Sequence, residues 1–187
     1  SFILQLNTRF AGIKQTVEGT ERQFVKLEMR MRAIAANEIP IDVNELNKLG
    51  EIVGQMGIPI TELEGVTKVV AKLGFTTNLA GEEAALGIGR LITIMREAGE
   101  NRTFTDRAER IAASLVDLGN KFNTTESEIL NMSVRMAGAA KTVGILDHRV
   151  LGLANAISSM GIRPEAGGTA ISRVMIEIKN RVDEAGD

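Results

Sequence analysis

Apolar residues recur at helical spacing along the whole chain, and no stretch alternates as a half-buried strand would, so the sequence reads as all-α. After Pro40 seven four-residue stripes follow one another. They are Leu46/Leu49/Val53/Met56, Leu63/Val66/Val70/Leu73, Ala84/Ile88/Leu91/Met95, Ile111/Leu115/Leu118/Phe122, Ile129/Met132/Met136/Ala139, Val150/Leu153/Ile157/Met160 and Ile171/Met175/Ile178/Val182. Each fills one face of a short helix, and seven such faces need a shared core. Glycine followed by an apolar residue marks the stops at Gly57, Gly74, Gly144 and Gly161, because glycine takes the left-handed position after a helix without a Cβ clash. Starts are marked by Asp42 with Glu45, Thr61 with Glu64 and Thr125 with Glu128 at capping-box spacing, and by Pro164 in a first turn.

The segment before Pro40 reads differently. Ile3, Leu6, Phe10, Ile13, Val17, Phe24, Leu27, Met31 and Ile34 fall in steps of three and four, interrupted by the polar Thr20, which is the a/d seam of a coiled coil. One continuous helix over this seam would be roughly 50 Å long at 1.5 Å per residue, and it would need a partner along its length. The seam is therefore a candidate partner-binding surface, with other copies of the chain as its first candidates. Gly12, Gly19 and Thr20 weaken its middle, and the flanking e and g residues form no clean charge code. Pro40 biases Ile39 away from helical angles. The expected organisation is a long N-terminal coiled-coil helix, residues 1–36, followed by a compact helical core domain, residues 42–187. The polar run 96–105 is the expected mobile loop. Because the chain begins with Ser1, it is read as a piece of a longer protein.

Composition narrows the function classes. With no cysteine there is no disulfide, thiolate metal site or cysteine nucleophile. A formal charge of -2, with charges spread along the chain, and no Trp or Tyr argue against a specific nucleic-acid reader or an aromatic ligand cage. No apolar run reaches the roughly 18 residues of a membrane span.

Each candidate for chemistry has a plainer structural explanation. Gly138-Ala-Ala-Lys141 lacks the glycine before its lysine and reads as helix, whereas a phosphate cradle needs a strand and an open loop. Gly87 and Gly89 likewise follow no strand. His148, the single histidine, follows Asp147, a candidate N-cap, and reads as an exposed first-turn residue. Glu82, Glu83, Glu126 and Glu128 stand where helix N-termini favour negative charge. Methionines 132, 136, 160 and 175 lie on the apolar stripes. A DNA-reading helix over 165–182 would bring Arg173, Lys179, Asn180 and Arg181 mixed with Glu165 and Glu177. No catalytic residue, metal site or cofactor site is assigned. Gly167 and Gly168 sit near a helix start, where glycine costs about 1 kcal/mol relative to alanine. Close helix packing, with another backbone approaching Gly167 and Gly168, is the expected reason.

Residues 108–178 carry a more specific order of features. Leu118-Gly119 ends one helix, and Thr125 to Ile129 precede a helix rich in small residues from Ala137 to Gly144. Leu151 to Ile162 form a Leu/Ala-rich helix ending in Gly-Ile, and Glu165-Ala-Gly-Gly-Thr-Ala170 opens the last one. This order resembles the core region of phage tail tape measure proteins, and the likeness extends in weaker form from about residue 22, with 96–106 as a local insertion. The resemblance implies a structural virion protein, mostly helical and used in a few copies. Such a protein lies inside the tail, sets its length during assembly in the host cytoplasm and leaves with the DNA at ejection. It also implies contacts with tail tube, distal tail and tail assembly proteins. The alternative is a helical adaptor or signalling module whose arm binds another coiled coil.

Overall fold

The computed structural model describes residues 10–96 and 101–185, and all regular structure among them is helical. A first helical stretch, α1, is described over residues 10–16. It is followed by α2 (Glu21–Asn37), α3 (Val43–Gln55), α4 (Ile60–Thr76), α5 (Gly81–Met95), α6 (Phe104–Lys121), α7 (Glu126–Thr142), α8 (Asp147–Ser159) and α9 (Pro164–Ala185). Helices α3 to α9 are the seven read from the stripes.

The single N-terminal helix is not formed. Helical structure stops at residue 16, and Thr20 opens α2 with a complete capping box, its hydroxyl accepting from the Gln23 amide while the Gln23 side chain accepts from the Thr20 amide. That cap satisfies amides that a continuous helix would have used, so the break is built in locally. The chain divides into two compact units, Ser1–Gly89 with Asn101–Ala112, and Arg90–Glu100 with Ala113–Asp187.

In the first unit α2 packs on α3 and α4, and α3 on α4. Gly50 is a close-packed point of this core: a methyl added there would stand 3.0 Å from both Ile13 Cδ1 and Met31 Cε. The absence of a side chain on α3 thus lets α1 and α2 seat on it. The beginning of α6 is tied to α4 by Glu62, whose Oε2 accepts from the Thr105 hydroxyl at 2.6 Å and the Thr105 amide at 3.3 Å.

In the second unit α7 packs on both α8 and α9. Thr125 and Glu128 form the capping box expected of them. Pro164 is the first residue of α9, as expected for a ring that fixes φ and lacks an N–H. Three of the four glycine stops take positive φ: Gly57, Gly144 and Gly161. Gly74 does not. Helix α4 runs through it to Thr76, and Gly74 instead meets the backbone of Gly81, with a Cβ there 2.8 Å from Gly81 Cα. Two other start signals move as well. Pro59, not Thr61, is the N-cap of α4, and Leu146, not Asp147, is the N-cap of α8.

Candidate interaction surfaces

The seam residues are core, not surface. Phe10, Ile13, Phe24, Leu27, Met31 and Ile34 are all buried within the chain, Ile13, Met31 and Ile34 completely. Val17 lies half-buried in the break, and Ile3 and Leu6 lie outside the described residues. The correction has a simple cause: a narrow apolar stripe is satisfied equally by another chain or by α3 and α4 of its own chain, and here the latter take it.

The opposite face of α2 is the one left outside. Val25 is 54% exposed and Met29 66%. They lie on a hollow of about 430 Å³ whose lining includes Glu21, Arg22, Lys26 and Arg30. At one edge an ion-pair network joins α2 to α4. Arg30 contacts Glu64 at 2.8 Å and Glu38 at 3.8 Å, and Lys68 pairs with Glu38. The Glu64 hydrogen bond and charge raise the Arg30 pKa, and the Lys68 hydrogen bond lowers that of Glu38. A lowered carboxylate stabilises the fold above its unfolded pKa, about 4.3, and that contribution is lost as pH falls through the folded value. The raised Arg30 value acts only at extreme alkaline pH. Melting temperatures measured between about pH 5 and pH 3 should therefore fall less steeply for Glu38→Gln than for the wild type, with salt narrowing the difference. Equal slopes would remove the network from the stability of this unit.

The second unit carries another open face. Helix α9 is buried at Gly167, Gly168 and Met175, and beyond Met175 only Lys179 is even half-buried among the described residues. Val174, Ile176, Ile178 and Val182 are exposed. The seventh stripe is thus only partly a core stripe, and Ile178 and Val182 are corrections to it. Phe122 and Met160, at the ends of two other stripes, are also exposed. The two adjacent glycines lie at a close approach, but not of the kind expected. A Cβ on Gly167 would meet Met132 Cε at 2.7 Å and Ile157 Cγ2 at 2.9 Å, and one on Gly168 would meet Arg135 Cβ at 2.6 Å. Side chains of α7 and α8, rather than a second backbone, occupy that space.

The residues that first suggested chemistry are used structurally. Residues 138–141 lie within α7, and the Lys141 ammonium donates to the Arg96 carbonyl at 2.8 Å, next to the end of α5. Glu82 pairs with Lys48. Glu128 completes the α7 cap. His148 is exposed, and its amide donates to the Asp147 carboxylate. On α9, Lys179 pairs with Asp183 and Arg181 with Glu177, which occupies two of the cations a DNA-reading face would need. Among the described residues no three His, Asp or Glu side chains are placed to hold a metal ion, and no helix is long and apolar enough to cross a membrane.

What the structure defines among the described residues is an all-helical chain with exposed apolar residues on α2 and α9. Residues 29–187 match the family of phage-related minor tail proteins, and the chain belongs to that family. It is a structural tail component and not an enzyme. It is also similar to a probable tape measure protein of Halomonas phage phiHAP-1, at 26% identity over 94% of this chain and 21% of the relative. The chain thus spans about a fifth of the length of the curated relative it matches. No solved structure matches it.

Proposed function

We propose that the chain is a segment of a tail tape measure protein, which lies inside the phage tail, takes part in setting its length and leaves with the DNA at ejection. The observation that carries this reading is the relative described as a probable tape measure protein, similar along 94% of the chain, together with the family match over residues 29–187. In the same reading its partners are tail tube, distal tail and tail assembly proteins, met first in the host cytoplasm. The exposed faces of α2 and α9 are the surfaces available for such contacts, and the buried seam is not.

The test is an in-frame deletion of residues 1–187 from the gene that encodes them, in its own phage, with tails examined by electron microscopy. Tails that are shortened or absent on otherwise filled heads are the expected result. Infectious particles with tails of unchanged length would overturn the length-setting role.

A further inference from the structure

We propose that the outer face of α2 binds an amphipathic helix of a different protein, apolar along its middle and acidic along one edge. At 3.6 residues per turn, Val25, Met29 and Ala36 fall on one line of α2, on the side away from the buried Phe24, Leu27, Met31 and Ile34. All three are exposed, and Ala33 beside them is half-buried. Val25 and Met29 border the hollow of about 430 Å³, and the alanines beyond it let a second helix lie close. From residue 25 to 36 the line runs roughly 16 Å at 1.5 Å per residue, enough for two or three successive anchors of a docked helix.

Charge defines the chemistry of the partner. On one edge of the line Glu28 holds Arg32 at 2.6 Å and Glu21 holds Lys14 at 3.1 Å, so that edge is neutral. The other edge carries Arg22, Lys26 and Arg30, one per turn. Arg30 is occupied by Glu64 and Glu38. Arg22 and Lys26 are exposed, and among the described residues neither has an ion-pair partner. Arg22 also stands in the first turn of α2, where the helix dipole disfavours a cation. Two carboxylates one turn apart on a partner helix would pair with both, while its apolar side covers Val25 and Met29. A second copy of the same face is the wrong partner, because it brings cations against cations. Two unpaired cations are few for a phosphate surface, and DNA has no use for Val25 and Met29. A helix lying in a membrane needs a broader apolar face than this one, whose large apolar side is buried in the unit.

The inference deepens the reading of the chain as a tail component by naming the kind of protein surface it meets, and its test does not involve tails. The probe is a designed helical peptide of about 18 residues, long enough to hold helix in water, with leucine along one stripe and glutamate on its flanks. A matched peptide carries lysine at every glutamate. By fluorescence anisotropy the purified chain should bind the acidic peptide at least about tenfold more tightly than the basic one. Combining Arg22→Glu with Lys26→Glu should reverse that preference, and combining Val25→Ser with Met29→Ser should weaken the acidic peptide by about tenfold. All four side chains are exposed, so the fold is not at risk, and melting curves would verify it. No binding of the acidic peptide, a preference that survives the charge reversal, or binding indifferent to the two serines overturns the proposal. So does tighter binding of a labelled DNA duplex, or of phosphatidylserine-containing vesicles, that the charge reversal abolishes. None of these outcomes bears on tail length, just as unchanged tails in the deletion phage would leave this docking face standing.

Discussion

Replacing Met31 by aspartate should unfold the first unit. Met31 is completely buried against α3, next to Ile13 and Gly50. The substitution removes a large apolar side chain, which costs about 2–5 kcal/mol in a core, and puts an unpaired carboxylate in its place, which adds further cost. Against a total stability of roughly 5–15 kcal/mol for a domain, that is enough to lose the fold or leave it marginal. Circular dichroism should show a large loss of helix near room temperature, or a melting transition moved down by well over ten degrees. Val25→Asp, on the opposite and exposed face of the same helix, should stay within about 0.5 kcal/mol of wild type. The pair separates two architectures. If the stripe served another chain, Met31→Asp would keep its helix content and change only the sedimenting mass.

Gly168→Leu should destabilise the second unit, and Gly138→Ala should stabilise it, although both remove a glycine from a helix. A leucine at 168 gains about 0.8 kcal/mol or more in helix propensity. It must also place its Cβ 2.6 Å from the Cβ of Arg135, an atom fixed to the α7 backbone that cannot swing aside. Overpacking of this kind costs about 1–3 kcal/mol even where atoms are free to adjust, and here α9 has to lift off α7. Ser172, whose hydroxyl donates to the Arg135 carbonyl at 3.2 Å, would be displaced with it. Gly138 has nothing within 4 Å of its missing Cβ, so alanine there should add up to about 1 kcal/mol. Thermal melts of the two variants should move in opposite directions. An unchanged Gly168→Leu midpoint would mean that the α7–α9 contact is loose enough to absorb four carbons.

Most helices could be read from periodicity because burial in them is one-sided. Leu63, Val66, Val70 and Leu73 recur at helical spacing, and all four are core residues of α4. The same periodicity misled at both ends of the chain. The stripe from Phe10 to Ile34 states that a partner exists but not whose it is. The break within it was legible, since Thr20-x-x-Gln23 is a capping-box pattern preceded by Gly19, yet the regular seam on either side outweighed it. At the other end, the spacing of Ile171, Met175, Ile178 and Val182 could not reveal that burial against the unit ends at Met175. Gly74 shows a third limit. A glycine near a helix end serves a left-handed stop or a close approach, and only the position of Gly81 distinguishes them. The candidate surfaces were the least legible part, because an exposed Val25 or Ile178 follows the same sequence rule as a buried neighbour.

The pattern of helix contacts also bears on how the chain reaches its fold. In the first unit α2 meets α3 and α4, and in the second α7 meets α8 and α9, partners that follow within one or two helices along the chain. Contacts this near in sequence carry small loop-closure penalties, and domains of low contact order form in microseconds to milliseconds. The contacts of α2 with α3 and α4, and of α7 with α8 and α9, can therefore form soon after those helices leave the ribosome, whereas the first unit is completed only once residues 101–112 follow.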